Sequence, residues 1–264
     1  MRALRRGRDP ATLNRADAVH GRAHPRLRLS GLPIRKPAPV VPSGHPSCGE
    51  GDPKAITQEA PREGEDIVRV LIGCERFGVL RDAFSRRGHD AWSCDLVAAT
   101  GRHIQGDVLS VLDDGWDLAI FHPDCTYLAA SGLHWNKRRP ERERETEKAL
   151  EFVKRLMGCG IERWAIENPI GCISTRIRKP DQIIQPWQFG EDASKATCLW
   201  LHNLPPLKPT NVLPGGRTAR RANQTPSGQN KLGPSAERAM LRARTYQGIA
   251  DAMAEQWGPG GDPT

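Results

Sequence analysis

The sequence contains no apolar run that approaches the roughly 18 residues a membrane-spanning helix needs, so no span is expected. It lacks the apolar stretch near its start that a secretory signal requires. No Gly-x-x-x-x-Gly-Lys-[Ser/Thr] loop occurs, which excludes the usual triphosphate cradle. The seven cysteines (Cys48, Cys74, Cys94, Cys125, Cys159, Cys172 and Cys198) are odd in number and show no Cys-x-x-Cys or Cys/His ligand spacing. That pattern argues against a disulfide framework and a zinc site, and it predicts a reducing cytoplasm and no bound metal. There is no internal repeat. Hydrophobic residues are also scarce, at 38%, and 22 prolines and 26 glycines account for part of the shortage.

The shortage is uneven. Residues 1–64 hold nine of the prolines and 12 Lys/Arg against six Asp/Glu, with no sustained period of two or 3.6. Such a stretch cannot bury enough apolar surface to offset its ordering entropy, so it is predicted to be disordered. An upstream extension is the simpler reading of it, and a DNA-touching basic arm the other. Of the net charge of +8, residues 205–245 carry eight basic residues against one acidic. One local basic stretch on a nearly neutral domain suits polyanion binding.

From Asp66 onward the pattern alternates. Ile67–Ile72, Ala91–Leu96, His103–Asp107, Asp117–His122 and Arg163–Ile166 read as short strands, several bounded by glycine or proline. Val79–Arg87 and Glu141–Met157 have helical spacing and stop at glycines. Gln182–Phe189 and Cys198–His202 read as further strands, 205–235 as loop, and Ala236–Trp257 as one last helix. This alternation predicts an α/β, doubly wound, mostly parallel sheet. The predicted organisation is a core over 65–203, a short basic loop region over 204–235, a C-terminal helix over 236–257 and a tail over 258–264.

In such sheets ligands bind beyond the carboxyl ends of the strands. Five strand ends carry suggestive residues there. Gly73–Gly78 forms a glycine-flanked turn, which admits close approach to the backbone. Asp95 ends the second strand, where a carboxylate commonly holds ribose hydroxyls, and Asp107 follows the third, in reach of an adenine amine. Helix capping or turn formation is an equally simple role for each Asp. Together these residues outline a nucleoside pocket without a phosphate loop, which suits adenosylmethionine better than ATP.

The sharpest signal is Phe121-His122-Pro123-Asp124-Cys125 paired with Ala165-Ile166-Glu167-Asn168-Pro169. A Cys just past a strand end, after a proline, is exposed at the crevice, and a Glu ending the neighbouring strand can face it. Methylation at carbon 5 of cytosine needs such a pair: a thiolate to add at carbon 6 and a carboxyl group to stabilise the altered ring. A buried small hydrophobe is the usual role of a lone Cys, and the proline and facing Glu outweigh it here.

With VLIGCERFGVLRDAF, GHDAWSCDL, HIQGDV, HPDCTYLAASG, AIENP, STRIRKPDQIIQPWQFG, KATCLWL and RTYQGIADAMAEQW, residues 67–257 resemble the DNA cytosine-5 methyltransferase family, in its short phage and prophage form. The resemblance implies a Rossmann-like S-adenosylmethionine-dependent methyltransferase fold with a very small target-recognition region, acting as a monomer on double-stranded DNA in a bacterial or phage-infected cell. It implies S-adenosyl-L-methionine as cofactor, lined by Gly73, Glu75, Gly78 and Pro123, with Asp95 at the ribose and Asp107 at the adenine. Cys125 would be the nucleophile and Glu167 its partner, with Arg176 and Arg178 stabilising the flipped base. Arg217, Arg220, Arg221 and Lys231 would contact DNA, and the last helix would return Arg244–Trp257 to the cofactor site. The family's motif is usually Pro-Pro-Cys. Here Asp124 precedes Cys125, and a carboxylate there is expected to raise the thiol's pKa. Two other readings stay open: a pyrimidine methylase acting on RNA or nucleotides or using a modified sulfonium donor, and a catalytically inactive DNA-binding relative.

Overall fold

The computed structural model describes residues 67–233 and 235–258. The expectations for residues 1–64 and for the tail beyond Gly258 lie outside the described residues. The elements run β1 (Arg69–Gly73), α1 (Val79–Arg86), β2 (Asp90–Asp95), β3 (His103–Gln105), β4 (Leu118–Phe121), α2 (Ala130–Leu133), α3 (Pro140–Met157), β5 (Arg163–Pro169), α4 (Ile173–Arg176), β6 (Gln182–Ile184), β7 (Thr197–His202), α5 (Ala236–Ala243) and α6 (Gln247–Trp257).

The seven strands form one sheet in the order β3-β2-β1-β4-β5-β7-β6. β1 to β5 are parallel, and β7 runs antiparallel to both of its neighbours. The sequence therefore anticipates the mixed α/β, mostly parallel sheet, which is compatible with a Rossmann-like fold. The order reverses between β1 and β4, and this switch point opens a crevice at the carboxyl ends of both strands.

Both faces of the sheet are covered, which explains why the central strands read as continuous apolar runs. Val70 and Ile72 of β1, with Leu118 and Ile120 of β4, pack against Leu80, Ala83 and Phe84 of α1 and Ile249, Ala250 and Met253 of α6. The alternate residues Leu71, Ala119 and Phe121 turn to the other face, against Leu150, Val153 and Leu156 of α3. α3 starts with Pro140 in its first turn beside Glu141 and Glu143, ends with Lys154 and Arg155, and stops at Gly158. Each of these choices suits the helix dipole and its unpaired terminal groups. Residues 134–138, ahead of it, form consecutive turns, and Asn136 Nδ2 donates to Glu143 Oε2 at 2.7 Å and to Thr146 Oγ1 at 2.9 Å.

Two predicted elements differ. The strand expected over Gln182–Phe189 ends at Ile184, because Pro186 has no N–H for a ladder and opens a 3-10 turn over Pro186–Gln188. The single helix expected over Ala236–Trp257 is two. α5, capped by Ser235 Oγ accepting from Arg238 N at 3.0 Å, ends at Ala243. Arg244 and Tyr246 are extended, and Tyr246 packs against the core, so the chain turns before α6 begins at Gln247. Among the described residues no helix is long and apolar enough to cross a membrane.

α6 is pinned at its start by a close backbone approach: a Cβ on Gly248 would overlap the carbonyl oxygen of Phe189. Gly248→Ala is expected to destabilise the protein by about 1–3 kcal/mol, the usual scale of overpacking. Urea unfolding of the two proteins checks this, and an unchanged midpoint would refute the assigned contact.

Candidate active site

The crevice at the switch point gathers side chains from the ends of β1, β2, β4 and β5. On its β1 side, Cys74 adopts a left-handed φ of 60° and lies in the field of Asp95, Asp107 and Asp124. Burial, with those carboxylates adding to it, pushes the Cys74 thiol up to about 12. Glu75 is buried. Its Oε1 accepts from Val79 N at 2.8 Å, at the start of α1, and its Oε2 has no hydrogen-bond partner. Burial raises the Glu75 carboxyl pKa, against the lowering pull of His122. Gly78 has a φ of 72°, and the buried Arg81 guanidinium lies where a Cβ would be. Arg81 also donates to Ser93 Oγ at 3.1 Å and to the Thr100 carbonyl at 2.7 Å, tying α1 to the loop after β2.

Asp95 Oδ1 accepts from Val97 N at 2.8 Å, and Asp107 Oδ1 accepts from Leu109 N at 3.0 Å. Each Asp therefore performs the turn or capping role the sequence also allowed, and each keeps a second carboxylate oxygen. An acidic, unpaired lining of this kind fits a cofactor that carries an ammonium and a sulfonium charge. Glu75 Oε2 and Asn168 Oδ1 are buried acceptors here that lack a donor.

The Cys125 turn and the β5 turn are stapled together. Asn168 Nδ2 donates to the Pro123 carbonyl at 2.7 Å within the core. Ala130 N donates to Ile170 O and Cys172 N to Leu128 O, both at 2.9 Å, around an Ala129–Gly171 bridge. Only glycine fits at 171, since a Cβ there would overlap the Leu128 carbonyl. Arg142 of α3 donates to Thr126 O at 2.6 Å and lies over the Tyr127 ring, and Thr146 Oγ1 donates to Tyr127 O at 3.0 Å. Cys125 is thus half-buried on a turn fixed from two sides, and the charges of Asp124, Glu167, Lys195 and Arg242 all act on its thiol. Burial raises its pKa most, then Asp124 and Glu167, while Lys195 and Arg242 lower it. The expected effect of Asp124 is present. Its Oδ1 is fixed by Thr126 N at 2.8 Å and Thr126 Oγ1 at 2.7 Å.

Glu167 is buried at the end of β5. His122 Nδ1 lies 3.0 Å from Oε2, and Lys195 Nζ lies 3.9 Å from Oε1. Burial alone would raise its pKa, but Lys195, His122 and the Thr197 hydroxyl together hold it down at about 2. These partners favour the ionised carboxylate. Sequence reasoning missed His122, Lys195 and Arg242. His122 stood inside the quoted motif, and Lys195 opened another, yet nothing in their spacing tied them to Glu167.

The predicted arginines lie elsewhere. Arg176 bonds Glu147 at 2.6 Å and Glu143 at 2.7 Å on α3. Arg178 bonds Asp181 at 2.8 Å and the Leu201 carbonyl at 3.0 Å. The structure does not bring either guanidinium to the Cys125–Glu167 pair. Among the basic-loop residues, Arg217, Arg220 and Lys231 are exposed, whereas Arg221 is buried over the Trp187 ring and donates to Gly216 O at 2.8 Å. Arg221 shapes the loop rather than its surface. The loop is docked, not free: Asn223 accepts from Ser194 N at 2.9 Å and donates to Ser194 O at 3.0 Å.

Comparison with protein-family models and with curated proteins gives no match. Among the described residues no group of His, Cys, Asp and Glu could hold a metal ion.

Two outcomes follow from these charges. Asp124→Asn removes a carboxylate that raises the Cys125 pKa, so alkylation of Cys125 by iodoacetamide at neutral pH should speed up several-fold, on the order of what a neighbouring charge does. Peptide mass spectrometry resolves Cys125 from the other cysteines, and an unchanged rate would remove Asp124 from the account. The depressed Glu167 pKa contributes stability that is full above about 4.5, its ordinary value, and is lost as pH falls toward about 2. Glu167→Gln should flatten that part of the acid-unfolding curve, read by circular dichroism.

Proposed function

We propose that this chain is an S-adenosylmethionine-dependent DNA cytosine-5 methyltransferase with Cys125 as nucleophile and Glu167 as the group that holds the base. The observation that carries this reading is the stapled pair of turns, which fixes the Cys125 thiol within the field of a buried, ionised Glu167 at the switch point of a doubly wound sheet. The motif resemblance supports it.

In this reading the Cys125 thiolate adds to carbon 6 of cytosine. The carbon-sulfur bond forms, the carbon 5–carbon 6 electron pair moves into the ring, and ring nitrogen 3, protonated from solvent as the base seats on Glu167, absorbs the charge. The Glu167 carboxylate accepts hydrogen bonds from that N–H and from the exocyclic amine, a charge-assisted fork suited to an ionised acid. Gly73, Glu75, Gly78, Asp95, Asp107 and Pro123 would hold the cofactor, which when bound supplies an electrophilic methyl group on a sulfonium sulfur. Once carbon 5 carries the methyl group, its proton leaves to solvent, the carbon 5–carbon 6 double bond re-forms as the Cys125 thiolate is expelled, and ring nitrogen 3 returns its proton to solvent. Cytosine within a duplex is out of reach, so the base must be flipped out. Exposed Arg217, Arg220 and Lys231, and Lys137, Arg138 and Arg139 in the turns that follow the Cys125 loop, supply cationic surface for phosphates.

A second reading, an inactive DNA-binding relative, is favoured by one observation: Asp124 raises the pKa of the thiol that must ionise. DNA containing 5-fluorocytosine separates the two, because fluorine at carbon 5 cannot leave as a proton does. With adenosylmethionine, the wild-type protein should form a covalent adduct visible on a denaturing gel, and Cys125→Ser should form none. Absence of the adduct across varied DNA sequences, with cofactor binding intact, would favour the inactive relative.

A further inference from the structure

The cation beside Glu167 is Lys195, a residue the sequence reading did not single out. Lys195 lies between the 3-10 turn at Pro186–Gln188 and β7, with its side chain largely buried and its Nζ 3.9 Å from Glu167 Oε1. Its backbone is held in place: Lys195 N donates to Gln185 Oε1 at 3.0 Å, and the preceding Ser194 is clamped at both N and O by Asn223. Arg176 and Arg178 are occupied by Glu143, Glu147 and Asp181, away from this point. A buried carboxylate without a compensating cation would take up a proton or disrupt the core.

We propose that Lys195 is the positioning and charge-compensating residue of this site, holding Glu167 ionised and favouring the Cys125 thiolate, and that Arg176 and Arg178 do neither. This rests on the reading of Cys125 as nucleophile. The 3.9 Å contact gives the ammonium one task and its charge a second. It cancels the Glu167 charge, which would otherwise oppose ionisation of Cys125, and it acts on the thiolate directly. The groups facing Cys125 are Asp124 on its own turn, Glu167 on β5, Lys195 before β7 and Arg242 on α5. Those facing Glu167 are His122, Lys195 and the Thr197 hydroxyl. With Lys195 removed, His122 and the Thr197 hydroxyl still favour the ionised Glu167, so Asp124 and Glu167 both oppose the thiolate and Arg242 is left as the cation acting on it.

The test is the pH profile of Cys125 alkylation by iodoacetamide, read on the Cys125 peptide in the full-length protein without DNA. It needs no methyl transfer, so it stands apart from the reaction itself. Lys195→Met should shift the profile to higher pH and slow alkylation at neutral pH by about tenfold, the change expected for one pKa step. Lys195→Arg should restore it. Glu167→Gln should shift the profile the opposite way, which keeps the idea testable if Lys195→Met is poorly folded. Arg176→Met and Arg178→Met should leave the profile unmoved. An unmoved profile in Lys195→Met and Glu167→Gln, or an equal shift in the arginine variants, would overturn the proposal. Formation of the 5-fluorocytosine adduct by the wild-type protein is scored separately: if the alkylation profiles behave as expected while no adduct forms, the methylation reading fails and the charge assignment survives.

Discussion

A buried carboxylate is the constraint from which the arrangement of this site follows. Glu167 sits at the end of a central strand, where an unpaired charge would cost several kcal/mol. Three neighbours offset that cost: His122 beyond β4, and Lys195 and Thr197 at the start of β7. The direction of β7 makes this possible. Because it runs antiparallel to β5, with Thr197 opposite Pro169 and Leu199 opposite Glu167, its amino end lies at the carboxyl end of β5. A parallel strand in the same position would begin at the far edge of the sheet and carry Lys195 away from the crevice. The one reversed strand is thus the element that delivers a cation to the buried acid.

A charged centre of this kind is useful only if its partners keep their distances, and here hydrogen bonding of otherwise irregular backbone fixes them. The turns after β4 and β5 have no ladder of their own. The Asn168 amide, the Ala129–Gly171 bridge and the Arg142 and Thr146 side chains satisfy their carbonyls instead. α3 therefore covers one face of the sheet and also holds the Cys125 loop through its first two turns. The packing that stabilises the sheet and the geometry of the site depend on the same helix.

The sequence revealed the parts of this arrangement that are encoded locally. The ends of β1, β2 and β4 were legible to within a residue, and those of β3 and β5 to within two or three, because glycine, proline and β-branched residues mark them, and the five parallel strands lie side by side as a doubly wound order requires. Contacts between distant elements were not legible. Lys195 is 28 residues from Glu167 in a segment whose composition resembles any solvated loop, and its role depends on the reversal of β7, which no local pattern announces. Arg176 and Arg178 looked suitable by type and order along the chain, but the acidic face of α3 and Asp181 engage them. The break between α5 and α6 was hidden for a related reason: Arg244 and Tyr246 suit a helix well enough, and the packing of Tyr246 on the core overrides that propensity.

The opposing charges around Cys125 have a consequence for the proposed reaction. Burial, Asp124 and Glu167 all keep the thiol protonated in the free protein, and a protonated thiol is a poor nucleophile and a poor target for oxidants. A base seated on Glu167 with hydrogen on ring nitrogen 3 would neutralise one of those two carboxylates. Lys195, no longer matched against Glu167, would then act on the sulfur with its full charge. Ionisation of Cys125 would accompany base binding rather than precede it, so the reactive form would arise chiefly when carbon 6 is present to receive it. On this view Asp124, which weakens the resting nucleophile, sharpens that dependence, because the lower the resting thiolate population, the more the thiolate depends on the bound base.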